Sequence, residues 1–356
     1  MRRSEFARPD PLPEGALPIP AGQALVVSGS ANWQPSDRYL PPEAIAPIQV
    51  VTTQGVQVCP WFDRYRGEGV SSLLALPDGQ TVVYTTGSDL VRMRLGSGEG
   101  RPLPVERLAD VHELTLDGRR LLVANTGQDE ALEVDLATDR VLRRLDLTPL
   151  RSPGRRLRSS AGTGIESFHL NQVFPDGDRL LGLVHHVDGF RLFSHAQRRL
   201  TGHGSGGVLD LETGWRKDLR LHAPHTVRRR GEEWLVLNSG RKELLLIDSE
   251  WEVSRRVGLR GWGRGGSLSA DGRIFFAGIS GIRRRYARDG DSTWTGVEAV
   301  EIETGRRWSV PLSRIEQVNS VEICPIEVAH ALAALPPAPS APGTSAPRPT
   351  AAFRAG

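Results

Sequence analysis

Lysine is nearly missing from this chain. Lys217 and Lys242 are the only two among 45 basic residues, and 42 acidic residues bring the formal net charge to +3. So even a balance gives no electrostatic footprint for nucleic acid. No aromatic platform accompanies the triplets Arg228-Arg229-Arg230 and Arg283-Arg284-Arg285, so both read as solvated loops and no nucleic-acid partner is expected. Cysteine is as scarce: Cys59 and Cys324 are too few for a disulfide framework or a thiolate metal site. No window approaches the ~18 uninterrupted apolar residues of a membrane helix, which excludes a membrane-spanning helix, and no membrane association is expected. The opening M-R-R-S-E-F-A-R-P-D-P-L-P-E-G puts no apolar stretch behind its arginines, so the expected compartment is cytoplasmic.

Catalytic signatures are missing too. There is no G-x-S-x-G elbow, no P-loop and no H-E-x-x-H, and G-T-G-I-E-S lacks the third glycine and the helix of a dinucleotide fingerprint. Amphipathic helical periodicity is absent between the strands, which argues against a βαβ fold.

What is present is a repeat. L-L-A-L-P-D-G-Q-T-V-V-Y-T-T (73–86) is an apolar run, an Asp-Gly turn and a β-rich run, the sequence form of a hairpin. The unit returns at 112–126, 169–184, 225–239 and 266–279. Each copy is followed by a third strand ending in an acidic residue and a turn, then by a fourth strand. In that position Asp135, Asp210 and Asp248 read as turn caps. Four strands every 40 to 60 residues make a β-propeller, an all-β fold. V-N-S-V-E-I-C-P-I (318–326) is a first strand without followers, and 24–30, 48–53 and 56–61 are three strands without a first. Joined, they give a six-bladed propeller closed by both termini, with seven blades as the fallback count. Cys59 then lies three strand spacings, ~14 Å, from Cys324, too far for a disulfide. The domain is expected over 21–333, after a loose segment (1–20) and before a disordered Pro/Ala-rich tail (334–356).

Innermost strands line a propeller's channel, and the residues that begin them converge at one mouth. Aligned by their hairpins, the units place Ser71, His112, His169, His225, Gly266 and Asn319 there. Three of the chain's nine histidines fall in this ring, in consecutive blades. Three imidazoles on rigid backbone, with positions left open, suit a catalytic divalent metal, with iron, zinc, manganese and copper all admissible. Asn171, Asn319 and His222 are possible additional ligands, and Glu113 and Glu166 possible partners for imidazole N–H groups. Arg264, in G-W-G-R-G-G (261–266), can clamp a carboxylate or phosphate. His185-His186 ends a second strand and reads as packing or surface. The insertions 151–164 and 188–207 flank the third blade, the latter offering a lid with His195 or His203.

F-H-L-N-Q-V, H-A-P-H-T-V-R-R-R-G and G-R-G-G-S-L-S-A-D-G-R-I-F-F-A-G-I-S-G resemble the uncharacterised bacterial DUF4915-type β-propeller family over roughly residues 165–325. The matching positions are His169, Asn171, Pro224, His225, Ser239, Gly240, Arg264, Gly265 and Ser280, with Thr226-Val227 where that family tends to have Ser-Pro. The resemblance implies the fold and weight on His169 and His225, and carries no activity. Two functions remain open. One is a metal-dependent enzyme, a hydrolase, lyase, isomerase or oxygenase acting on a small organic molecule in specialised metabolism. The other is a non-catalytic ligand- or protein-binding scaffold.

Overall fold

The computed structural model describes residues 16–32, 35–151, 167–189, 201, 203–281 and 294–338. Glu166, the Arg283–Arg285 triplet, most of the 188–207 insertion with His195, and the tail beyond 338 lie outside the described residues.

Six four-stranded antiparallel sheets form a six-bladed propeller, not a seven-bladed one. The inner strands of blades one to five are Ser72–Ala75, Val111–Asp117, Leu170–Asp176, Pro224–Arg230 and Trp262–Leu268. Blade six is built from both ends of the chain: the inner strand Gln317–Pro325 pairs with Gln23–Ser30, followed by Ile48–Thr52 and Gly55–Val58. This Velcro leaves no open ladder between first and last blade.

The turn chemistry accounts for the hairpins. Gly79, Gly118, Gly177, Gly231 and Gly272 all sit at positive φ between the first and second strands, where a residue with a Cβ is strained. The repeated third-strand aspartates are caps. Asp135 accepts from Ala137 N, Asp210 from Glu212 N and Thr213 N, and Asp248 from Glu250 N and Glu252 N.

Alternating apolar residues on these strands meet those of the neighbouring blade in six clusters, one in each gap between blades. The gap between blades six and one is the largest. It holds Trp61, Phe62 and Tyr84 in edge-on contact, and Cys59 and Cys324 as buried free thiols. The short helix Ile326–Ala333, which the strand pattern did not announce, seals this gap with Val328, Ala329 and Leu332. The domain also runs past its expected ends, because Leu17, Ile19 and Leu335 are buried. Among the described residues no helix is long and apolar enough to cross a membrane.

The Arg228–Arg230 triplet is not a solvated loop. It ends the blade-four inner strand, where Arg228 pairs with Glu113, Arg229 with Asp176, and Arg230 with Glu233 and Glu303.

Candidate functional site

Strand pairing fixes which residues are equivalent at the channel mouth. Val111 faces Asn125, Leu170 faces Val184, Pro224 faces Asn238 and Gly263 faces Ile279. One place further along stand His112, Asn171, His225 and Arg264, with Asn319 in blade six. A register shift follows in each of these strands. Such bulges re-aim side chains, here towards the axis. The expected ring therefore needs two corrections: Asn171 stands where His169 was placed, and Arg264 where Gly266 was. His169 is two residues before the ring level, equivalent to Asp110 and Ala223. All three are left-handed, at φ 52, 47 and 50.

The blades are stapled around this mouth. Thr126 Oγ1 donates to Leu170 O, Ser239 Oγ to Gly263 O and Ser280 Oγ to Val318 O, each from the end of a second strand to the next blade. Asn171 Nδ2 and Asn319 Nδ2 do the same for Pro224 O and Val70 O, at 2.5 and 3.0 Å. The nitrogen of Asn319 is therefore spent on a staple. The nine residues carrying the family resemblance gather here. Gly265 at φ 71 passes Ser320, and Gly240 leaves room for the His222 ring, which a Cβ would meet at 2.4 Å.

His112, His169 and His225 do come together, and a fourth ring joins them. Centroids lie 4.9 Å apart for His112–His169, 6.4 Å for His112–His225, 4.1 Å for His169–His185 and 5.3 Å for His185–His225. His185 was expected to pack or face outward. It occupies the place of Thr126 and Ser239, after the second strand, and turns inward as they do. The signal was legible: second strands end N-T-G, N-S-G or I-S-G in blades two, four and five, whereas blade three reads V-H-H.

Hydrogen bonds decide which nitrogens of two rings carry protons. Ser239 spends its only proton on Gly263 O, and Ala223 O can only accept. Both contact His225 Nδ1, at 2.8 and 3.1 Å, so that nitrogen bears the hydrogen and Nε2 keeps its lone pair. His112 Nε2 stands 3.4 Å from the Asp110 carboxylate, which leaves Nδ1 as the lone-pair nitrogen. His112 Nδ1, Asn171 Oδ1 and His185 Nε2 are buried without a hydrogen-bond partner. Burial lowers the pKa of His112, His185 and His225, helped by Arg264 at His112 and His225 and by neighbouring imidazoles at all three. These rings are neutral at pH 7.

His169 is placed by Asp129, a buried carboxylate accepting from Ser167 N, Phe168 N and Arg151 Nη2 at 2.6, 3.0 and 3.0 Å. Glu113, expected to serve an imidazole, instead binds Thr226 Oγ1 and Arg228 at 2.7 and 2.6 Å. His222 lies outside the cluster, its ring 6.4 Å from Trp262. As the side chains stand, no group of three or more His, Cys, Asp or Glu among the described residues has donor atoms converging as metal ligands. The imidazoles pack ring against ring instead.

No family model and no curated protein sequence matches the chain. Among solved structures it is similar to a chain in a nidogen–laminin complex, at 11% identity over 85% of this chain and 98% of that one, TM-score 0.56. It is similar also to a protein of unknown function from Bacteroides caccae, at 13% identity over 85% and 99%, TM-score 0.54. A streptogramin B lyase aligns over 70% of this chain and 71% of that one, at 10% identity and TM-score 0.45. The first two likenesses, at this identity, bear on the fold alone.

Proposed function

We propose that the mouth binds a divalent transition metal through His112, His169, His225 and His185, and that the protein is a metal-dependent enzyme acting on a small organic molecule. The observation that carries this reading is a pair of imidazole nitrogens at the mouth, His112 Nδ1 and His185 Nε2, buried without a hydrogen-bond partner. His112 and His225 each spend one N–H on a fixed acceptor. An outer acceptor that fixes the imidazole tautomer is a recurring feature of metal-bound histidine. Neutral imidazoles are the form a metal requires. Rings on one metal have their centres about 3 Å from it, so neighbouring centres fall about 4.5–5.5 Å apart; His112–His169 at 4.9 Å and His185–His225 at 5.3 Å fall in that window, whereas His169–His185 at 4.1 Å and His112–His225 at 6.4 Å lie outside it. When bound, the metal supplies Lewis acidity or oxygen chemistry. Arg264 and Asn171 Oδ1, at the same level of the ring, would orient substrate. The scarcity of cysteine favours a cytoplasmic protein, and the DUF4915-type resemblance belongs to this same reading.

The test is metal content by mass spectrometry of the untagged protein beside the His112→Ala/His225→Ala double variant. About one metal per chain, lost in the variant, is the expected result. A wild-type protein that neither carries metal nor takes it up refutes the reading, and leaves a wet channel in a binding scaffold.

A further inference from the structure

The histidines do not make up the whole of this mouth. Arg264 occupies the blade-five place of the ring, equivalent to His112, Asn171 and His225. Its root is held firmly. Gly263 and Gly265 flank it in the bulge, and a Cβ on Gly265 would meet Ser320 Cα at 2.4 Å, so the backbone here has little freedom. The guanidinium's field reaches across the mouth to Asp110, His112 and His225, lowering the proton affinity of all three. Trp262, two residues earlier on the same strand, stands 6.4 Å from the rings of both His222 and His225. A cation, an indole and the imidazole cluster thus stand on neighbouring inner strands at one mouth.

These groups make different demands on a ligand. A guanidinium presents a planar fork that suits a carboxylate better than a neutral amide. An indole covers hydrocarbon. Asp110, beside His112, offsets the charge of Arg264, which favours a monoanion over a doubly charged phosphate. We propose that the substrate is a small carboxylic acid, its carboxylate on Arg264 and its apolar body against Trp262, with the reacting atoms facing the histidines. This deepens the metal-enzyme reading. It rests on that reading for the chemistry, not for the binding.

The test uses benzoate and its neutral counterpart benzamide as probes. Both are titrated calorimetrically into wild-type protein, Arg264→Gln and Arg264→Lys, each with zinc and after chelation. Benzoate is expected to bind at least about tenfold tighter than benzamide. The glutamine variant should lose that preference while still folding and keeping wild-type metal content, and the lysine variant should retain part of it. Absence of benzoate binding, equal binding of the two probes, or an undiminished preference in Arg264→Gln overturns the proposal. The two readings fail separately. A preference for the acid in a protein that takes up no metal sinks the metal enzyme alone, and metal uptake without the preference sinks the carboxylate alone.

Discussion

Replacing Ser239 with alanine removes a single oxygen from the fully buried side chain that links His225 to the wall of blade five. That oxygen accepts from His225 Nδ1–H at 2.8 Å and donates to Gly263 O. In Ser239→Ala the carbonyl loses its side-chain donor, and the imidazole keeps only Ala223 O at 3.1 Å. Leaving a buried polar group unsatisfied costs about 1–3 kcal/mol, so we expect a loss of about 2 kcal/mol and about 4 °C in Tm. The second effect is the informative one. With its orienting acceptor gone, His225 is free to turn over, and metal affinity should fall about 10- to 100-fold. Competition against a chromophoric chelator reads the affinity, and denaturant unfolding reads the stability. Ser280→Ala is the matched control, because Ser280 makes the corresponding bond to Val318 O without touching a histidine. If both variants lose stability alike and bind metal alike, Ser239 is a staple only and the tautomer argument fails.

Asp129→Asn should cost about 3–5 kcal/mol in denaturant unfolding, because it breaks a buried ion pair with Arg151, itself 7% exposed. Leu332→Ala empties a fully buried position in the helix that seals the closing blade, and should destabilise by about 2–5 kcal/mol; an unchanged midpoint would mean that the helix is not part of the closure. Glu322 supplies a pH dependence. Burial, with Glu113 beside it and against the pull of Arg228, raises its pKa from 4.5 to about 7. The fold disfavours its charged form, so this contribution to stability is complete below pH 4.5 and is lost as pH rises through about 7. Linkage sets the loss at up to about 3 kcal/mol, reduced to about 1–2 kcal/mol because Glu322 is only partly buried. Glu322→Gln should abolish that slope in urea midpoints measured from pH 4 to pH 9, and a slope that persists unchanged would assign it to another group.

The propeller, its blade count and its closure followed from the sequence alone. The reason is physical: each blade repeats the same local chemistry. A left-handed glycine turns the first hairpin, an aspartate caps the third strand, and apolar residues alternate between. These signals act over a few residues, so they survive without knowledge of what packs where. The closing blade was legible by subtraction, because three strands lacked a first and one lacked followers. The helix Ile326–Ala333 was not legible: eight residues with Pro325 before them carry little periodicity.

The site divided differently. That histidines from blades two, three and four meet at one mouth was readable from their places at the starts of inner strands. Which residues share a level was not. Bulges displace the register by a place or two within each strand, and they alone decide that Asn171 and Arg264 line the ring while His169 stands two residues behind. Glu113 turned to Arg228 for the same reason: a counter-charge distant in sequence lies within 2.6 Å once the blades close. His185 left a trace in V-H-H, but the trace becomes meaningful only once blades two, four and five place Thr126, Ser239 and Ser280 at the same point. Residue types and turn chemistry were determined by the sequence. The direction of each imidazole, and which of its nitrogens is left free, belong to the closed ring of blades, because the acceptors that hold them come from elsewhere in the chain.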